Sequence, residues 1–218
     1  MNARYSLVVF DWDGTLMDST VGITAAIQEA ARDLGLPVPD RERASHVIGL
    51  GLQDALRAAV PDLPQEKYAE FVEAYRHHFR ARQDDMELFP GVREMLEELR
   101  RRGHRLAVAT GKSRRGLDHQ FGLTGLGPLF AASRCADETR PKPHPAMLLE
   151  LMDELATARH ELLMIGDTSH DLGMALSAGV DAVAVGYGAH PLESLSAMNP
   201  RASVRSVTEL RQWLAANA

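Results

Sequence analysis

Cysteine is almost absent from this 218-residue chain, and long apolar runs are absent too. The one cysteine, Cys135, has no partner for an internal disulfide, which excludes a disulfide scaffold. Its setting, Ala-Ser-Arg-Cys-Ala, favours a half-buried structural thiol over a nucleophile. No stretch approaches the ~20 apolar residues of a membrane span, and the first apolar run is too short for a signal peptide. We therefore expect a cytoplasmic protein with no membrane partner.

Positive charge is not in excess either. The net charge is -6, and the arginines are mixed with acidic residues along helical stretches instead of forming a basic block. This pattern argues against nucleic acid as a partner. The hydrophobic fraction of 45% and the charged fraction of 25% are typical of a globular protein. The length allows one ordinary domain and a modest insert.

Four short apolar runs predict buried β-strands, at Leu7–Phe10, Arg105–Thr110, Leu162–Gly166 and Asp181–Val185. Helical patterns separate them, and this alternation predicts an α/β fold with a doubly wound, Rossmann-like parallel sheet. Ligands of such sheets bind beyond the carboxyl ends of the strands.

One segment interrupts the alternation. Residues 18–86 carry apolar stripes of helical spacing, punctuated by prolines and by the pair Gly49 and Gly51, with no strand pattern. We predict a helical cap over residues 18–86, inserted into a catalytic core formed by residues 1–17 and 87–218.

The strongest chemical signal is Asp11-Trp12-Asp13-Gly14-Thr15-Leu16, directly after the first strand. Two carboxylates spaced by two residues at a strand end can project to the same side and hold a cation. One of them can attack a phosphorus atom while the other moves protons. Gly14 permits a tight turn. The alternative interpretation is that these acidic residues only end a strand and begin a loop.

The second signal is Gly166-Asp167-Thr168-Ser169-His170-Asp171, after another predicted strand. Carboxylates from two strand ends suit a hard cation such as Mg²⁺. Asp171 lies about one helical turn after Asp167 and is a candidate to brace the site. The alternative is a helix N-cap, with Asp167 or Ser169 accepting from free amides.

Two weaker signals offer groups for an anion. Thr110-Gly111-Lys112 ends a third strand and supplies a hydroxyl group and backbone amides. Lys142 lies between two prolines, which stiffen its surroundings. The chain has only three lysines, so Lys142 is not one of many solvent-exposed lysines.

Taken together, these motifs resemble those of the haloacid dehalogenase superfamily, and in particular its phosphoglycolate-phosphatase-like members with a helical cap. The resemblance implies a Mg²⁺-dependent phosphatase acting on a small phosphorylated metabolite. It implies that Asp11 is the nucleophile and Asp13 the general acid and base. It further implies that Thr110, Gly111 and Lys142 bind the phosphoryl group, and that the metal site consists of Asp11, Asp13, Asp167 and Asp171.

The chain departs from these relatives at one position, because Asn often follows the Thr of the second motif and Gly111 stands there. We expect Lys112 to supply an extra positive group in its place. The stretch from Gly49 to Gln53 is either part of a substrate-selecting loop or a turn between cap helices. A phosphomutase of the β-phosphoglucomutase kind and a non-catalytic phospho-ligand-binding protein remain alternatives, and the protein is expected to be a monomer or a homodimer.

Overall fold

The computed structural model describes residues 4–218. Its centre is a parallel sheet of six strands in the order β3-β2-β1-β4-β5-β6. The strands are β1 (Leu7–Phe10), β2 (Arg105–Thr110), β3 (Ala132–Cys135), β4 (Leu162–Gly166), β5 (Asp181–Val185) and β6 (Ala202–Val204). The chain winds outward from β1 in both directions, so the predicted doubly wound α/β sheet is confirmed.

The helices alternate with the strands, except between β1 and β2. They are α1 (Thr20–Asp33), α2 (Arg41–His46), α3 (Leu52–Ala59), α4 (Tyr68–Gln83), α5 (Val92–Arg101), α6 (Arg114–Thr124), α7 (Ala146–Glu154), α8 (Ser169–Ala178), α9 (Leu192–Ser196) and α10 (Val207–Asn217). No helix within residues 4–218 combines the length and the apolar character needed to cross a membrane.

Both faces of the sheet are covered. Along β1, Val8 and Phe10 pack into a cluster with α5, α6 and α10, whereas Leu7 and Val9 pack into a second cluster with α7, α8 and α9. This division follows from the period-two alternation of side chains along a strand. All four residues are fully buried, which is why β1 reads as a continuous apolar run.

Residues 18–86 contain four α-helices and one 3-10 turn and no β-strand, all within the described part of the chain. They have their own hydrophobic cluster, which includes Ile27, Leu56 and Phe71. The two connections to the sheet run side by side, since the Asp18 amide donates to the Glu87 carbonyl at 2.9 Å. The cap boundaries at residues 18 and 86, and the core segments 1–17 and 87–218, stay a prediction.

Cys135 differs from expectation in its burial. It is fully buried at the end of β3 instead of half-buried. Burial raises the pKa of its thiol to about 12, so the thiol keeps its proton at neutral pH. A structural role follows, because the thiolate is the nucleophilic form.

Candidate active site

Asp11 follows β1 directly and is fully buried. Its amide donates to the Ile165 carbonyl at 2.9 Å, which continues the pairing of β1 with β4 by one residue. Its Oδ1 accepts from the Trp12 amide at 2.7 Å. The other oxygen, Oδ2, is buried and has no hydrogen-bond partner within residues 4–218. A buried carboxylate oxygen in this condition is costly unless a ligand or a cation meets it.

Gly14 makes the predicted tight turn, with φ at +77°. A Cβ at this position would lie 2.1 Å from Asp167 Oδ2. Glycine is therefore needed at this position for two reasons, the left-handed backbone conformation and the close approach of the Asp167 carboxylate.

Asp167 follows β4 and is held on both oxygens. Its Oδ1 accepts from the Thr15 hydroxyl group and its Oδ2 from the Ala189 amide, each at 2.7 Å. A Cβ on Gly188 would also lie 2.1 Å from Oδ2. Roles for Thr15, Gly188 and Ala189 were not predicted from the sequence. Thr15 lies inside the first motif, and Gly188 follows the end of β5, so the rule that ligands bind at strand ends points to both.

Asp171 lies in the first turn of α8. Its Oδ2 accepts from the Thr168 amide at 3.0 Å and from the Thr168 hydroxyl group at 2.7 Å. Thr168 in turn accepts from the Asp171 amide, so Thr168 is the N-cap. The alternative that Asp167 or Ser169 caps this helix was therefore wrong.

Lys142 joins two of these carboxylates. Its Nζ lies 2.8 Å from Asp11 Oδ1 and 2.7 Å from Asp171 Oδ1, and its side chain has no exposed surface. Burial alone lowers the pKa of a lysine, but the charges of Asp11 and Asp171 outweigh it and raise the pKa of Lys142 above its usual value. The ammonium group is therefore held charged inside the site.

The carboxylates outnumber this cation. Asp11, Asp167 and Asp171 are all buried, and one oxygen from each falls within 4.8 Å of the others. Burial raises the pKa of Asp11 well above its usual range, although Lys142 opposes the shift. Burial and the Asp171 charge raise the pKa of Asp167 to about 7. A hard divalent cation fits this all-oxygen donor set and would compensate the excess negative charge.

Thr110 and Gly111 lie at the end of β2, next to β1. Thr110 is fully buried, and its hydroxyl oxygen accepts from the Lys112 amide at 3.2 Å. A Cβ on Gly111 would lie 2.5 Å from the Leu50 carbonyl oxygen and 2.6 Å from that of Gly49. The loop between α2 and α3 thus lies directly on Gly111. This contact gives a physical reason for glycine at position 111.

The loop that was a candidate for substrate selection therefore lies against the motifs of the sheet. Gly49 has φ at +93°, and a Cβ there would lie 3.2 Å from the Thr168 hydroxyl oxygen. Gly51 precedes α3 and approaches the side chains of Ala136 and Pro141. The stretch is a turn between α2 and α3 that also faces the site, and its part in substrate selection stays a prediction.

Asp13 is the least buried of the predicted carboxylates, with 7% of its surface exposed. Its Oδ1 accepts from the Ser19 hydroxyl group at 2.7 Å and lies 3.0 Å from Lys112 Nζ. The same ammonium group lies 5.0 Å from the centre of the Phe79 ring in α4. Lys112 therefore brings a positive charge to the site and contacts both the first motif and the cap, while its action in place of the usual Asn stays a prediction. Ser19 and Phe79 were not identified from the sequence.

The structure therefore brings the predicted residues of all four motifs to the carboxyl edge of the sheet, beneath the cap helices. In comparisons with known proteins, a family model described as haloacid dehalogenase-like hydrolase matches residues 8–185. The "Probable phosphatase IndB" of Dickeya dadantii is 38% identical over 210 residues, covering 94% of this chain and 91% of that protein.

Two further comparisons extend this result. The chain is 37% identical over 187 residues to the "Tyrosine-protein kinase PtkA" of Mycobacterium tuberculosis; the match covers 84% of this chain but only 62% of that longer protein. A crystal structure of a predicted phosphoglycolate phosphatase from Haemophilus somnus 129pt superposes with a TM-score of 0.86 at 25% identity, covering 97% of this chain and 99% of that one. This chain belongs to the haloacid dehalogenase-like hydrolase family.

Proposed function

We propose that this phosphatase cleaves small phosphomonoesters through a covalent aspartyl-phosphate on Asp11, with Mg²⁺ as its cofactor. The observation that carries the proposal is the state of Asp11. One of its oxygens is fixed by Lys142 and by a backbone amide, while Oδ2 is buried without a partner. Nucleophilic catalysis needs such a carboxylate, held in place and still available to attack.

The remaining charged and polar groups support this role. We assign Lys142 and the Thr110 hydroxyl group to the binding of phosphoryl oxygens, together with the Gly111 backbone at the same strand end. Phosphoryl transfer depends mainly on such positioning and on charge neutralisation. When bound, Mg²⁺ would be held by Asp11, Asp167 and the Asp13 carbonyl, and it would offset charge on the phosphoryl group.

We assign Asp171 to the support of the metal site, since its two oxygens are engaged by Lys142 and by Thr168. In that position it fixes the ammonium group beside Asp11.

Asp13 is the proposed general acid and base. Its Oδ1 contacts Ser19 and Lys112, and neither contact uses Oδ2, which can face the leaving oxygen. Asp13 donates a proton to the departing alcohol and then takes one from the water that hydrolyses the aspartyl-phosphate. Removal of this carboxylate should lower the rate by about 10² to 10⁴.

The substrate is proposed to be small, because the loop from Gly49 to Gly51 lies directly on Gly111 at the end of β2. The similar Haemophilus protein is described as a predicted phosphoglycolate phosphatase. For this chain, 2-phosphoglycolate is therefore the first compound to test, with phosphosugars, nucleotides and pyrophosphate beside it.

The test measures inorganic phosphate released from this panel, with Mg²⁺ or with EDTA. The wild-type protein is compared with Asp11→Asn and with Asp62→Asn, a matched change at an exposed position of the cap. We expect release that needs Mg²⁺, survives Asp62→Asn and is abolished by Asp11→Asn. Mass spectrometry of acid-quenched protein should find the phosphoryl group on the peptide that contains Asp11.

Release that persists in Asp11→Asn would refute the proposed nucleophile. A phosphoryl adduct on Asp11 without phosphate release would instead indicate a phosphomutase, which keeps water from the intermediate. Saturable binding of the esters with neither adduct nor release would indicate a binding protein.

A further inference from the structure

Lys112 is a second cation at the site, distinct from Lys142, and its side chain is largely shielded from solvent. Only 8% of its side chain is exposed, and its ammonium group lies 3.0 Å from Asp13 Oδ1. Above it is the aromatic ring of Phe79, at 5.0 Å, which stacks on Tyr75 of the same helix at 5.8 Å. The sheet and the cap therefore enclose this ammonium group together.

We propose that Lys112 is a specificity-determining residue that selects phosphate esters whose leaving alcohol carries a second anionic group, such as a carboxylate, next to the ester carbon. The inference rests on the proposed function, because it assigns the leaving-group side of that same site. It concerns the alcohol part of the substrate, whereas Lys142 acts on the phosphoryl part.

Lys112 lies beside the residue that is proposed to protonate the leaving oxygen. Asp13 must lie within hydrogen-bond reach of the leaving oxygen if it is to protonate it. Since Lys112 Nζ is 3.0 Å from Asp13 Oδ1, a group one or two bonds beyond that oxygen falls next to the ammonium group. An anion at this point would form a charge-assisted hydrogen bond with Lys112.

Lys112 has a single carboxylate neighbour among the described residues. Its one carboxylate partner among residues 4–218 is Asp13, and the same oxygen of Asp13 also accepts from Ser19. The Phe79 ring attracts a cation but brings no net charge. An ammonium group has three N–H donors, so Lys112 can bind a second anion beside Asp13 through a charge-assisted hydrogen bond. A neutral alcohol would form no such charge-assisted bond.

The test uses two phosphate esters of nearly equal size, of which only one carries a carboxylate. In 2-phosphoglycolate the ester carbon bears a carboxylate, and in 2-hydroxyethyl phosphate it bears a neutral hydroxymethyl group. We expect the wild-type protein to favour 2-phosphoglycolate in kcat/KM by about ten- to hundredfold, as one charge-assisted hydrogen bond would give. Lys112→Met should reduce this preference to within about threefold, mainly through KM for the anionic ester.

Three further variants distinguish a role of Lys112 in substrate selection from a role in supporting Asp13. Lys112→Arg keeps the charge and should keep most of the preference. Ser19→Ala removes the other partner of Asp13 and should lower the rates on both esters equally, which leaves the preference intact. Lys67→Met changes a cap lysine whose ammonium group binds the Leu34 carbonyl, and it should leave both rates unchanged.

Binding provides a readout that does not depend on turnover. In the Asp11→Asn background, calorimetry should show tighter binding of 2-phosphoglycolate than of 2-hydroxyethyl phosphate, and Lys112→Met should remove the difference. Equal losses on both esters in Lys112→Met, or no preference in wild-type turnover or binding, would overturn the inference. Failure of the proposed function has a different signature, namely phosphate release that survives Asp11→Asn.

Discussion

Replacement of Gly111 by alanine is the sharpest test of how the cap closes on the sheet. The new Cβ would lie 2.5 Å from the Leu50 carbonyl oxygen and 2.6 Å from that of Gly49. Real Cβ atoms essentially never come within 3.0 Å of such atoms, and both obstacles are backbone, so no side-chain rotation relieves the contact. Either the cap loop or the end of β2 must move.

The required movement sets the expected effect. The loop must retreat by about 0.5 Å to reach 3.0 Å and by about 0.9 Å to reach an ordinary contact at 3.4 Å. A displacement of about 1 Å near reacting groups can cost about a hundredfold in rate. We therefore expect kcat/KM to fall by about ten- to hundredfold, with a loss of about 1–3 kcal/mol in the free energy of unfolding from overpacking.

The assay compares Gly111→Ala with Gly122→Ala in kcat/KM and in urea unfolding. Gly122 lies inside α6, and a Cβ there would meet nothing within 4 Å. The control should therefore gain about 0.5–1 kcal/mol of stability, since alanine is the better helix former, and keep its activity. If Gly111→Ala matched this control within about twofold in kcat/KM, cap closure on Gly111 would have no part in catalysis.

Three other predictions concern the buried charges and the helix that carries them. Lys142→Met leaves the carboxylates that it joins without their shared cation and should cost about 3–5 kcal/mol in urea unfolding, and a loss below about 1 kcal/mol would contradict the charged state argued above. Without metal, the folded protein keeps a proton on Asp167, whose pKa is about 7, while the unfolded chain releases it near pH 4. This contribution to stability is fully present below about pH 4 and is lost as the pH rises to about 7, so Tm in EDTA should fall between about pH 4 and pH 7. Millimolar Mg²⁺ should remove that fall, and a fall that Mg²⁺ leaves unchanged would count against a metal at this carboxylate. Thr168→Ala and Ser206→Ala each remove a helix N-cap and should each cost about 1 kcal/mol in urea unfolding. Only Thr168→Ala should also lower activity, because Asp171 loses the hydrogen bond from the Thr168 hydroxyl group, and equal activity of the two variants would refute that link.

The sequence predicts the centre of the sheet well because each central strand is buried on both faces. Such strands read as continuous apolar runs, and the four predicted strands have the bounds that the structure shows. The two strands that were not predicted are the edges of the sheet, Ala132–Cys135 and Ala202–Val204. They are short and only partly buried, and an arginine or a serine interrupts their apolar character. Their place in the sheet depends on pairing with β2 and β5, which the local sequence does not reveal.

The predicted site residues follow from the same rule. Asp11, Thr110 and Asp167 each lie at or just beyond the end of a central strand, and parallel strands bring those ends together. Lys142 is different, since it lies between β3 and α7 and enters the site only through tertiary packing. Its assignment came from the family resemblance and not from the strand pattern. Ser19 and Phe79 were missed because their contacts depend on how the cap sits on the sheet.

Three glycines show why part of the site lies beyond such prediction. Gly14 and Gly188 leave room for Asp167, and Gly111 leaves room for the backbone of the cap loop. Of the three, only Gly14 has a positive φ, so a turn pattern can identify it. The other two are glycine because of atoms that the chain brings close from elsewhere, across 21 residues for Gly188 and across 61 for Gly111 and Leu50. Asp167 can lie close to the first motif, and the cap loop can lie close to the strand ends, because these three positions have no side chain. The sequence around a glycine does not show which distant residue requires the absence of a side chain there.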